Sequence, residues 1–253
     1  PLTDVVIKFT SDDTDEATVT SSLTFTKDNW NTNQTITVTA VNDAIDRDDE
    51  ATITIAVDDA NSDDTYDAVA DATAAITITD DDSAGFTLSK TTSTVAENAG
   101  TDTFTIELDS EPTSNVVIAI SSSATGEATV SPTSLTFTSA NWDTAQTVTI
   151  TGVNDNNVGN HTATITATIN DGSSANEFDP LANQTVAVTL TDDDSASIVI
   201  DPTAITTTGL TIAENGGTGT FNVKLGSQPL TDVVIKFTSD DTDEATVTSS
   251  LTF

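Results

Sequence analysis

Cysteine is missing from all 253 residues, which excludes disulfides and thiolate metal sites. Methionine is missing too, and there is one histidine, so zinc is not the expected metal. Basic residues are scarce: 6 Lys+Arg stand against 41 Asp+Glu, for a formal net charge of -35. Nucleic acid and anionic membrane need Lys/Arg surfaces, so neither is an expected partner, whereas dissolved cations are. Aromatic residues are few, and acidity with few aromatics can mean disorder. The regular hydrophobic alternation described below argues against that. No apolar run approaches the length of a membrane span, and the opening PLTDVVIKF does not read as a signal peptide, so membrane insertion is not expected.

What the sequence does have is repetition. Residues 1–25, PLTDVVIKFTSDDTDEATVTSSLTF, recur without change at 229–253, a spacing of 228 residues. Identity over 25 positions marks a window on a tandem array. Inside it runs a weaker period: Asp80 and Asp192, Trp30 and Trp142, Phe25 and Phe137, and Asn42 and Asn154 are each 112 apart. Two related modules of 112 and 116 residues therefore alternate. One is complete at 83–194. The other is expected in two pieces, its back (strands C to G) at 1–82 and its front (strands A to D) at 195–253.

The complete module reads as all-β. Apolar residues alternate with polar ones in TFTIEL (103–108), HTATITATI (161–169) and TVAVTLT (185–191), the pattern of strands with one buried and one wet face. Turn-rich stretches separate them, among them NDNNVGN at 154–160 and NDGSSANEFDP at 170–180. Seven strands are predicted, at about 84–95, 101–108, 115–121, 127–137, 146–153, 161–169 and 184–191. That count and spacing predict a seven-stranded immunoglobulin-like sandwich, repeated in a linear array. Phe137 and Trp142 are expected to fill its core.

If strands A to G alternate in direction, the A–B, C–D and E–F loops and the end of strand G share one pole. The A–B loop carries Glu97, the E–F loop Asp155, and strand G closes on Asp192, Asp193 and Asp194. The other module is richer. Its A–B loop holds Glu214, and its C–D loop is SDDTDE, with Asp15 and its copy Asp243. Its E–F loop VNDAIDRDDE holds Asp43, Asp46, Asp48, Asp49 and Glu50, and its G strand ends at Asp80, Asp81 and Asp82. Two unit charges 4 Å apart repel by about 1 kcal/mol in bulk water and about 4 kcal/mol at an effective dielectric near 20. For a single Asp, a solvated surface charge is the simpler account. For three loops and a strand end converging on one pole, Ca²⁺ is the better one, because it takes several hard oxygens from flexible loops, whereas Mg²⁺ keeps more of its water.

The Ala-Glu-Asn turn (96–98), the block LTFTSANWDTAQTVTITGVNDN (135–156) and the closing Thr-Asp-Asp-Asp resemble Calx-beta domains. These are the calcium-binding sandwiches of sodium–calcium exchangers, also found in tandem in large bacterial surface proteins and adhesins. The resemblance covers the 83–194 module and both pieces. It implies that Ca²⁺ is held by Glu97 and Glu214, by Asp15 and Asp243, by Asp43, Asp46, Glu50 and Asp155, by the carbonyl of Ile45, and by Asp80, Asp81, Asp82, Asp192, Asp193 and Asp194. The complete module departs from the pattern: Gly126 stands where the other has Asp15, and NDNNVGN has amides in place of acids. A weaker site is expected there.

The expected role is structural: a repeat of an extracellular or cell-surface fibre or adhesin stalk, with Ca²⁺ stiffening the joints and neighbouring copies as partners, head to tail in a continuous chain or filament. A ligand-binding or cell-binding adhesion module is the alternative, with Tyr66 and Phe178 in the F–G loops as its candidate aromatics. Catalysis is not expected, because the carboxylates lie on exposed loops with no apolar pocket to raise a pKa. His161 is expected at the surface.

Overall fold

The computed structural model describes residues 3–201 and 209–253, and its regular structure is β-strand apart from four short 3₁₀ turns. Residues 202–208, within the expected front of the second module, and the first two residues of the repeated stretch lie outside the described residues.

Residues 3–82 form β1 (Val5–Ser11), β2 (Ala17–Val19), β3 (Ser22–Phe25), β4 (Val38–Ala40), β5 (Asp49–Val57) and β6 (Ala72–Ile78). They make a sheet in the order β3-β1-β5-β6 and a separate pair β2-β4. The 83–194 segment forms β7 (Phe86–Leu88), β8 (Thr92–Ala96), β9 (Thr101–Leu108), β10 (Val116–Ser122), β11 (Ala128–Ser131), β12 (Ser134–Phe137), β13 (Gln146–Gly152), β14 (His161–Ile169) and β15 (Gln184–Thr191). These make two sheets, β12-β10-β14-β15-β8 and β11-β13-β9-β7. The order β12-β10-β14-β15 and the pair β11-β13 reproduce the arrangement of residues 3–82. The last segment contributes β16 (Ile198–Asp201), β17 (Asn222–Leu225), β18 (Val234–Lys236) and β19 (Ser250–Thr252), paired β16-β17 and β18-β19 like β7-β9 and β10-β12. Among the described residues, no strand of 3–82 pairs with one of 195–253.

The core lies between the two sheets of the 83–194 segment. Phe104, Ile106, Val148 and Ile150 face Ile118, Ile120, Ile165, Val186, Val188 and Leu190, all buried. Alternation put them there, since successive side chains of a strand point to opposite faces. Burying each large apolar side chain contributes about 1.5–3 kcal/mol. Phe137 is fully buried, and Trp142 packs partly buried against the same core. Its counterpart Trp30 is 62% exposed. Among the described residues of 3–82, no strand corresponds to β7–β9 to complete a core around it.

The strand count differs from the expected seven. The predicted strand at 84–95 is two, β7 and β8, which pair in different sheets, and the predicted strand at 127–137 is β11 and β12, likewise divided between sheets. The second break falls at Pro132, which has no N–H to donate to a ladder.

Candidate metal centres at the strand ends

The acidic groups meet because of one pairing. Strand β8 runs parallel to β15, with Ala96 opposite Thr191, so Glu97 and Asp192 leave their strands at the same end. The Glu97 N–H donates to the Thr191 carbonyl at 3.1 Å. The turn then closes tightly: Ala99 takes a positive φ of 54°, and the Gly100 N–H donates to the Ala96 carbonyl at 3.0 Å. The end of β13 lies directly beneath. A Cβ on Gly152 would sit 2.2 Å from the Ala96 carbonyl oxygen, so only glycine lets the turn settle. Gly152 donates to the Gly100 carbonyl at 2.9 Å, and Val153 to the Glu127 carbonyl at 2.8 Å. Four chain segments are thereby stitched together around Glu97.

Glu97 is 1% exposed, and its Oε1 has no hydrogen-bond partner. Its carboxylate lies within 4.8 Å of ligand atoms of Asp192 and Asp194, and within 4.8 Å of those of Asp155 and His161. Burial raises its pKa, and Asp155, Asp192, Asp193 and Asp194 add to the shift. Burial also raises Asp194, with help from Asp192, Asp193 and Asp155, and Asp194 Oδ2 is buried without a partner. Asp192 goes the other way, held low by the N–H groups of Asp194 and Gly159. A buried charged group left unsatisfied is costly. A divalent cation held among these oxygens would remove both the repulsion and the unmet bond.

Residues 3–82 contain a related arrangement without an A–B glutamate. Asp43, Asp80 and Asp82 group within 4.8 Å, as do Glu16, Asp43 and Asp49. Glu16, Asp43, Asp49, Asp80 and Asp81 line one cleft of about 140 Å³. Burial raises the pKa of Asp82 and of Glu16, in each case with neighbouring aspartates adding to it. Arg47 supplies a local cation there: its Nη2 is 2.7 Å and its Nε 2.9 Å from Asp49 Oδ1.

The remaining predicted ligands are placed differently. Asp46 Oδ2 accepts from the Ala84 N–H at 2.7 Å, which ties it to the linker. The Ile45 carbonyl accepts from the Arg47 N–H at 2.8 Å. Asp193 is exposed and accepts from Asn98 Nδ2 at 3.0 Å. Asp15, Glu50, Glu214 and Asp243 are exposed and stand outside these groups of acids, and Asp81, also exposed, lines the cleft without joining a group.

Two expectations need correction, and the C–D loops bring a neighbouring acid forward. Glu16 groups with Asp43 and Asp49, whereas Asp15 joins no group, and Glu127, next to Gly126, stands beside His161. A shared Glu-Ala-Thr-Val in both C–D loops is the sequence signal for it. His161 is not a bystander at the surface: its Nδ1 lies 2.7 Å from Glu127 Oε2 and 3.4 Å from Asp155 Oδ2. Phe178 is fully buried, on a 3₁₀ turn folded back onto the core, and presents no exposed ring to a ligand.

The E–F loop also touches the following segment. The Glu111 N–H donates to the Ala44 carbonyl at 2.7 Å, and at the corresponding positions the Gln228 N–H donates to the Asn156 carbonyl at 2.7 Å.

No protein-family model matches the sequence, and no curated protein matches it. Among solved structures, domains 4 and 5 of the S-layer protein SbsC are similar at 17% identity and a TM-score of 0.36, over 73% of this chain and 70% of that one. WR4, a C. elegans MSP family member, is similar at 16% identity and 0.30, over 42% of this chain and 96% of that one. The E. coli chaperone DraB gives 8% and 0.33, over 60% and 90%.

Proposed function

We propose that this chain is a structural repeat of an extracellular fibre or adhesin stalk, built of tandem immunoglobulin-like sandwiches and stiffened by Ca²⁺ at the poles and joints. The observation that carries the reading is Glu97: a buried carboxylate with an unpartnered oxygen, set among Asp155, Asp192 and Asp194. All of these are oxygen donors on loops and a strand end, the ligand set that suits Ca²⁺. Three residues, Ser195, Ala196 and Ser197, separate Asp194 from β16, so an ion there acts on the joint. The resemblance to Calx-beta domains supports the same metal.

Residues 1–82 and 195–253 are the back and front of one module type, and neighbouring copies complete the array. The reading is supported by the repeated strand orders and by the repeated 25-residue stretch. Near-identical repeats suit a spacer, which needs length rather than a unique surface. The test compares the full chain in Ca²⁺ and in a chelator. A ligand at 100 times its Kd adds about 2.7 kcal/mol per site. Ca²⁺ should raise the melting temperature and narrow the range of shapes seen by small-angle X-ray scattering. Equal melting and equal scattering in the two samples would overturn the reading.

A further inference from the structure

Aligned through the 112-residue period, His161 occupies the position of Asp49 and Asp155 that of Asp43; Glu127 opens the shared Glu-Ala-Thr-Val as Glu16 does, 111 residues on because one extra residue follows in the 83–194 module. The same corner of the fold thus holds Glu16, Asp43 and Asp49 in one segment, with Arg47 against Asp49, and Glu127, Asp155 and His161 in the other. Gly159 stands where Arg47 does, so no guanidinium serves the second corner. An imidazole nitrogen has replaced both a carboxylate and its cation.

We infer that Glu97, Glu127, Asp155 and His161 form a second metal site, selective for a borderline divalent transition metal of the zinc class rather than for Ca²⁺. Three atoms there are buried and lack a hydrogen-bond partner: Glu97 Oε1, Glu127 Oε2 and His161 Nδ1. Glu127 Oε2 and His161 Nδ1 are 2.7 Å apart yet are not aligned as a hydrogen bond. Ligand atoms of Glu97, Asp155 and His161 all fall within 4.8 Å of one another, and Glu97 is 1% exposed. One imidazole with carboxylates is a donor set that Zn²⁺ and its neighbours in the first transition row accept, whereas Ca²⁺ takes oxygen. Few donors are spare for a large coordination shell, which also favours the smaller ion. The site shares Glu97 and Asp155 with the proposed calcium position but does not depend on calcium being bound.

Co²⁺ is the probe, because its visible d–d absorption reports an inner-sphere nitrogen and oxygen shell. The full chain, stripped of metal, is titrated with Co²⁺ with and without saturating Ca²⁺, then with Zn²⁺. Binding should give a visible band that Zn²⁺ abolishes and excess Ca²⁺ leaves in place. His161→Gln and His161→Asp should each lose the band, and His161→Asp, which installs the residue of the corresponding position 49, controls for folding. The calcium-dependent melting shift, measured on the same samples, should survive in His161→Asp. No band in the wild type, a band that Ca²⁺ displaces as readily as Zn²⁺, or a band retained in both variants would overturn the inference. A His161-dependent band without any calcium-dependent melting shift would sustain this site and sink the calcium reading instead.

Discussion

The backbone N–H of Glu111 donates to the carbonyl of Ala44, 2.7 Å away, across the joint between two segments. The corresponding pair, Gln228 and Asn156, makes the same bond at the next joint. One contact is therefore used twice. The side-chain reinforcement is not: Asp46 reaches the Ala84 N–H at the first joint, while Val158 stands at the matching place in the second. Asp46→Ala should loosen the first joint alone. The lost hydrogen bond costs about 1 kcal/mol. Distance distributions between spin labels on either side of each joint should broaden at the first and stay unchanged at the second.

Glu97→Gln should act in opposite directions with and without Ca²⁺. In a chelator the variant should be more stable than the wild type, by roughly 1–3 kcal/mol, because a buried group crowded by aspartates no longer carries charge. In Ca²⁺ it should gain less than the wild type does. Paired denaturant titrations measure both increments, and a variant destabilised equally in both conditions would contradict this.

The metal-free protein should lose stability as pH rises. Glu97, Asp194 and Asp82 have folded pKa values raised above their ordinary ones, burial being the main cause. The folded state then binds more protons than the unfolded state, so stability falls with pH from the usual carboxylate value up through the raised one. Ca²⁺ should flatten that slope. Melting temperatures across the weakly acidic range, with and without the ion, give the comparison.

Asp102 should give the reverse slope at lower pH. Lys90, Ser93 and the Thr103 N–H hold its pKa down to about 2. Its contribution is complete above the ordinary aspartate value and is lost as pH falls from there toward about 2. Allowing for solvent screening of a partly exposed pair, Asp102→Asn should cost about 1 kcal/mol at neutral pH. The difference between variant and wild type should vanish at the acid end.

Arg47→Gln should strengthen cation binding in residues 3–82. The guanidinium occupies Asp49 and lowers the repulsion felt by Glu16, which is the part a bound ion would play. Calorimetric titration should show tighter Ca²⁺ binding in the variant. Unchanged binding would mean that the Glu16–Asp43–Asp49 corner does not take part.

The sheets were legible because alternation repeats every second residue and the core follows it, from Phe104 to Leu190. Breaks within strands were not: whether Thr92–Ala96 joins the sheet of β9 or that of β15 depends on tertiary pairing. The convergence of Glu97, Asp155 and Asp192 was legible from strand direction alone. The choice of Glu16 over Asp15 was not, because neighbouring loop residues point apart and a two-residue counting argument cannot orient a turn. Phe178 escaped for a related reason, since a 3₁₀ turn buries it outside any strand period.

Calcium titrated calorimetrically into the metal-stripped full chain tests the central claim most directly, with Glu97→Gln run beside the wild type. The account predicts saturable binding to the wild type and the loss of at least one site in the variant. No binding to the wild type, or the same isotherm for both proteins, would contradict it.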